Sequence, residues 1–196
     1  MKIFDLTMLV GKRTPVFPGD RRHEITQTAT VAKNGWNEKW LSFNSHFGTH
    51  IDAPYHMLAK GKTLSDFPVD HFVGEAVVLS LSDDLSAVRK NDIVFFYTGQ
   101  TEKMHSPDFF KNNPVIDKPL AEKLVAKKIR MVGLDSFTPD NAPYSVHKIL
   151  LAADIMIVEN LVNLKPLLGK RFQCVIAPLK IEGGDGAPCR VIAMYA

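Results

Sequence analysis

Hydrophobic positions along this chain follow two rhythms. Near the start, EITQTATV (24–31) alternates apolar and polar residues. WLSFNSHF (40–47) does the same, with Leu41, Phe43 and Ser45 on one side. Alternation of this kind predicts half-buried strands. AVVLSL (76–81), DIVFFYTG (92–99) and RMVGLDS (130–136) are short, mostly apolar runs of the length expected for strands buried on both faces. KIFDLTMLV (2–10), IMIVENL (155–161), FQCVIAPLKI (172–181) and RVIAMYA (190–196) also read as strands. PLAEKLVAKKI (119–129) has a helical period through Leu120 and Leu124, with Lys127 or Lys128 facing water, and VHKILLAAD (146–154) is helical in type. TPVFPGD (14–20) holds two prolines and a glycine and reads as a loop.

Helix-then-strand pairs at 119–136 and 146–161 imply parallel pairing, and the alternating N-terminal segments imply antiparallel pairing. The predicted class is α/β: mixed β-sheets packed with a few helices, as one mixed sheet or two packed sheets. No linker, low-complexity segment or repeat interrupts the 196 residues, so one domain is expected over 1–196.

Composition narrows the function classes. Net charge is +3, and the basic pairs at 21–22 and 127–128 are too short for a nucleic-acid footprint. The longest apolar stretch, ILLAADIMIV (149–158), is too short to span a bilayer and contains Asp154. The start lacks the pattern of a secretory signal. Two cysteines, Cys174 and Cys189, do not suggest a disulfide scaffold, so a cytoplasmic protein is expected. Cys174 is expected in the core and Cys189 at a partly exposed position.

The chemistry concentrates in HFGTHIDAPYH (46–56), which holds three of the seven histidines and an aspartate. Imidazoles and a carboxylate suit zinc, manganese or iron. In a straight strand His46 and His50 lie about 13 Å apart, whereas ligand atoms sit ~2.0–2.2 Å from one ion. A flat strand is therefore excluded if both bind one ion. A helix is opposed by Pro54, whose ring meets a helical carbonyl, and by Gly48. What remains is a strand ending near His46 and then a tight turn, permitted by Gly48, with Pro54 fixing the exit.

The stretch resembles the signature H-x-G-T-H-x-D-x-P-x-H of the cyclase family of metal-dependent hydrolases, which includes bacterial kynurenine formamidases and isatin hydrolases. FPGD (17–20), DIVFFYTG, VGLDS (132–136), HKILLAADIMIVENLVNL (147–164) and APLKIEGGDGAPCRVIA (177–193) extend the resemblance in order over nearly the whole chain. It implies the swivelling β/β/α-like fold of that family. It implies that His46, His50 and Asp52 ligate a first ion, with Asp52 bridging to a second. His147 would ligate the second, and Glu159 would touch both. His56 matches the general acid/base. The family's kynurenine formamidases typically carry tryptophan before Pro-Gly-Asp, and here Phe17 stands in that place as the substrate-stacking residue. Without the resemblance, His147 reads as a half-buried structural histidine, and Glu159 needs either a metal or a Lys or Arg partner.

The activity implied is hydrolysis of an amide, formamide or lactam bond with two Zn2+ or Mn2+ ions per subunit. The leading substrate is N-formylkynurenine, the runner-up an isatin-like lactam. A non-catalytic binding protein on the same fold is the alternative of another class. A small-molecule substrate is expected, with no nucleic-acid or membrane partner. A homodimer or homotetramer is implied, with Trp36 and Trp40 lining either a pocket or a subunit contact. His23, His71 and His105 are expected at the surface. GGDGAP (183–188) matches no phosphate-binding loop and is expected to turn near the site or at a subunit contact.

Overall fold

A computed structural model describes residues 1–196. Ten strands form: β1 (Lys2–Asp5), β2 (Glu24–Ala29), β3 (Glu38–Ser42), β4 (His50–Asp52), β5 (Val73–Ser80), β6 (Ile93–Tyr97), β7 (Met131–Leu134), β8 (Met156–Glu159), β9 (Arg171–Pro178) and β10 (Gly186–Tyr195). The helices are a single turn, α1 (Val31–Asn34), and two longer ones, α2 (Lys118–Ala126) and α3 (Ser145–Ala152). No helix is long and apolar enough to cross a membrane.

The main sheet runs β1-β10-β4-β8-β7-β6-β5-β9, and β9 pairs again with β10. Seven strands thus close into a ring, and β1 lies beside the C-terminal half of β10. β5, β6, β7 and β8 pair in parallel, while β4, β9, β10 and β1 pair antiparallel. The mixed sheet matches the expectation, in the closed form rather than as two packed sheets. β2 and β3 form a separate antiparallel arm outside the ring.

The unbroken apolar runs have a simple cause. On β6, Ile93 and Phe95 join the core inside the ring, while Val94 and Phe96 join a second core under the helices. Both faces are buried, so neither tolerates a polar residue. Phe95 is fully buried, and truncation to alanine costs about 3–5 kcal/mol. α2 presents Ala121 and Leu124 to the outer core, and α3 presents Val146, Leu150 and Leu151. Asp117 caps α2 by accepting the Leu120 N–H at 2.8 Å.

One expectation fails locally. The alternating run 40–47 does not stay a strand as far as His46: β3 stops at Ser42, where its partner β2 begins at Glu24. Beyond that point no neighbouring strand is available to satisfy the backbone. Phe43 and Phe47 stack on each other instead, ring centroids 5.1 Å apart.

Candidate metal centre

The turn after Phe47 is made by Gly48, at φ +63°, a left-handed conformation that glycine adopts without a Cβ clash. Its carbonyl accepts the Nδ1–H of His50 at 2.9 Å and the side-chain amide of Asn160 at 3.1 Å. The chain then enters β4. Ile51 points into the ring core, so His50 and Asp52 point to the outer face, because successive strand side chains alternate. On β8, Val158 is inside, and Ile157 and Glu159 lie outside. The register pairs His50 with Glu159 and Asp52 with Ile157. Pro54 then opens a 3₁₀ turn, Pro54–His56, which swings His56 back over the cluster. Its ring lies 4.0 Å from that of His46 and 6.0 Å from that of His147. The His46 and His50 rings are 5.1 Å apart, far closer than a straight strand allows.

His147 arrives from the first turn of α3. Asp140 prepares it. One Asp140 oxygen accepts the backbone N–H groups of Val146 and His147, at 2.6 and 3.3 Å, and the other meets His147 Nδ1 at 2.5 Å. This leaves Nε2 facing Glu159 at 3.4 Å and Asp52 at 3.8 Å. His50 Nε2 faces Asp52 and Glu159, both at 3.4 Å. All six clustered side chains predicted from sequence, His46, His50, Asp52, His56, His147 and Glu159, therefore converge from β4, α3, β8 and the turns on either side of β4.

The donors fit a divalent cation. Asp52 is 1% exposed and its Oδ2 has no hydrogen-bond partner. An unpaired buried carboxylate oxygen is costly, and a cation is one group that would satisfy it. Two sets of ligand atoms each lie within 4.8 Å of one another: His50, Asp52 and Glu159, and His46, Asp52 and His56. Asp52 belongs to both. His46 and His50 fall in different sets, whereas the resemblance places them on one ion. His56, expected to stand apart as acid/base, falls in the second set.

Without a cation the cluster holds protons. Burial lowers an imidazole pKa, but at His46 the carboxylates of Asp52, at 2.7 Å, and Asp185, at 2.9 Å, outweigh it and raise the value to about 9. At His147 burial is outweighed by Asp140 and Glu159, to about 10. His50 is also raised, against its burial, by Glu159 and Asp52. Burial favours a protonated Asp52, yet His46 and His50 hold its carboxyl well below the usual carboxylate range. Burial pushes His56 down, and Asp52 does not offset it.

The cluster lies at the base of a cleft of ≈ 310 Å³ whose wall includes Phe17, Phe109, Phe110 and Phe137. Phe17 packs against Phe110 and Phe137, with centroids 6.1 and 6.0 Å apart. Asp185, Asp140 and Asn160 act here although the sequence reading gave them no role. Asp185 had a signal, since it sits in GGDGAP, which turns beside the site. Asn160 had one too, as the neighbour of Glu159. Asp140, Phe109 and Phe110 lie in irregular segments whose sequence carries no period. Trp36 and Trp40 are 58% and 63% exposed on or beside the β2–β3 arm, away from the cleft wall. Of the three histidines expected at the surface only His105 is exposed. His23 is half-buried, its Nε2 2.9 Å from the Gly11 carbonyl and its ring on Phe47, and His71 is half-buried beside Phe67. Cys189, expected partly exposed, is buried, as is Cys174.

Known proteins resemble this chain over most or nearly all of its length. The model of the Cyclase family, described as "Putative cyclase", matches residues 4–141. A kynurenine formamidase of Salinibacter ruber is 32% identical over 208 aligned positions, covering 98% of this chain and 97% of that protein. A solved structure described as a "predicted metal-dependent hydrolase from Bacillus stearothermophilus" superposes with a TM-score of 0.80 at 28% identity, covering 98% and 97% of the two chains. An isatin hydrolase bound to the product analogue thioisatinate shares the fold, with a TM-score of 0.87 at 22% identity over 99% of this chain and 92% of that one. The chain, with its signature at 46–56 folded around a shared buried aspartate, belongs to the cyclase family.

Proposed function

We propose that this protein is a metal-dependent hydrolase of an aryl formamide, with N-formylkynurenine, split to kynurenine and formate, as the best specific substrate. The observation that carries the reading is the pairing of a cation-ready cluster with His56. His56 lies against that cluster, with its Nδ1 3.9 Å from Asp185 Oδ2, beyond hydrogen-bond reach. His46, His50 and His147 are each tied to a neighbour. An untied imidazole at a ligand cluster is suited to proton transfer. The name of the Salinibacter ruber relative and its coverage of nearly both chains support the formamide bond.

His46, His50, Asp52, His147 and Glu159 would hold two ions, Zn2+ or Mn2+. When bound, such ions make water more acidic and stabilise negative charge on a carbonyl oxygen. The chain's own residues do the rest. Phe17 and its neighbours hold the aryl ring and keep bulk water off it. His56 takes a proton from the attacking water and delivers it to the nitrogen as the C–N bond breaks. The free aryl amine and formic acid leave, and the acid ionises to formate by releasing one proton to solvent, which closes the balance of atoms and protons. A cytoplasmic homo-oligomer completes the proposal, with the exposed β2–β3 arm carrying Trp36 and Trp40 as the candidate subunit contact.

The test is turnover of N-formylkynurenine by protein loaded with zinc or with manganese, followed through kynurenine absorbance beside a chelated sample and an isatin assay. Metal-dependent release of kynurenine upholds the reading. Isatin opening without kynurenine release replaces the formamide with a lactam, and no turnover of either by loaded protein removes both substrates.

A further inference from the structure

The segment Phe17-Pro18-Gly19-Asp20 is a tight turn in which the Asp20 N–H donates to the Phe17 carbonyl at 3.0 Å. Proline second and glycine third, the latter at φ +99°, is the arrangement of a type II turn. Such a turn brings its first and fourth residues together. Here those residues are an aromatic ring and a carboxylate, and both line the cleft. Asp20 is held by Asn44, which also lines the cleft and whose amide donates to Asp20 Oδ2 at 2.9 Å. No cationic side chain pairs with Asp20, and no lysine or arginine lines the cleft. The outer part of the cleft therefore offers an aromatic surface, one carboxylate without a cationic partner, and no lysine or arginine to pair with a distal anion.

We propose that Asp20 is a specificity residue that selects aromatic substrates carrying an ammonium group beyond the ring. Phe17 and Phe110 hold the ring, and the free Asp20 oxygen accepts a hydrogen bond from the ammonium. An ammonium close to Phe17 also gains from the ring face. The choice of aryl substrate rests on the function proposed above, but the charge preference does not require turnover. On this view the ammonium of an amino-acid tail is read directly and its carboxylate is not, so the decarboxylated amine, N-formylkynuramine, binds at least as well as N-formylkynurenine.

The test is calorimetric titration of the metal-loaded protein with 3-phenylpropylammonium and with uncharged 3-phenylpropanol. The ammonium is expected to bind about tenfold more tightly, as befits a hydrogen bond to a charged group. In Asp20→Asn, which keeps the size of the side chain, the preference should vanish while the alcohol binds as before. Equal affinities in the native protein, a preference that survives D20N, or equal weakening of both ligands in D20N would each overturn the proposal. N-formylkynuramine and formanilide, assayed for kcat/KM in parallel, separate the two readings. Discrimination in binding with no hydrolysis of either compound leaves Asp20's role standing and removes the formamidase. Hydrolysis of both without a charge preference does the reverse.

Discussion

His50 on β4 sits directly opposite Glu159 on β8, and the two side chains approach to 3.4 Å between Nε2 and Oε2. The antiparallel register alone places them there, and Asp52 follows two residues along on the same face. Loss of either partner should therefore empty the centre. His50→Ala or Glu159→Ala, dialysed against buffer and analysed for bound metal, is expected to retain much less zinc or manganese than the native chain. Full retention by both variants would show that the pair is not a ligand set.

His56 has a different expected outcome. His56→Ala should keep its metal and lose turnover by roughly 10²- to 10⁴-fold, the usual scale for removing a general acid/base. The grouping of His56 with His46 and Asp52 gives this experiment its edge. A variant that loses an ion along with activity would make His56 a ligand, and the proton carrier would have to be sought elsewhere.

Asp140 positions His147 and caps α3 with the same carboxylate. Asp140→Ala orphans buried N–H groups, each at a cost of about 1–3 kcal/mol. Metal affinity should fall by about 10- to 100-fold, as for other groups that orient a ligand from behind. Asp140→Asn, which can still accept from the backbone, should recover most of the melting temperature but less of the metal affinity. If the two variants melt alike, the backbone contacts contribute little.

Gly186 is held by a close approach. A Cβ there would lie 2.8 Å from both His46 Cε1 and the Ile51 carbonyl. Gly186→Ala should cost about 1–3 kcal/mol by overpacking and should also displace His46. Denaturant unfolding and metal analysis read the two effects separately. A variant of native stability with native metal content would contradict the contact.

The signature at 46–56 was legible because its constraint is local: three histidines and an aspartate crowd into eleven residues, with Gly48 permitting a tight turn and Pro54 opposing a helix. β5 to β8 were legible because both of their faces are buried. Sheet closure was not, since the pairing of β9 with β10 depends on curvature accumulated over the whole ring. Asp185 and Asp140 are ordinary loop carboxylates in sequence, and only folding sets them against His46 and His147. Trp36 and Trp40 illustrate the same limit: the sequence leaves a pocket wall and a subunit contact equally open, and in the fold both are exposed and away from the cleft wall.

The metal-free centre should respond to pH in a way that the loaded centre does not. In the folded apoprotein His46 and His147 hold their protons more tightly than the ordinary histidine, with values raised from 6.5 to about 9 and about 10. Between those values the folded state binds more protons than the unfolded chain, so stability falls as pH rises. The contribution is complete below 6.5 and is lost through pH 9 to 10. Asp52 and Asp185 are lowered from 3.8, so their contribution is present above 3.8 and fades as pH falls through their folded values. The chelated protein should therefore melt progressively lower as pH rises from about 6.5 toward 10. Metal binding must displace the held protons. Calorimetric titration with Zn2+ at pH 8, repeated in buffers of different ionisation enthalpy, should thus report net proton release, with the benefit of metal to the melting temperature growing as pH rises. An apoprotein whose melting temperature is flat from pH 6 to 10, together with zinc binding that releases no protons, would mean that His46 and His147 are already neutral in the empty centre.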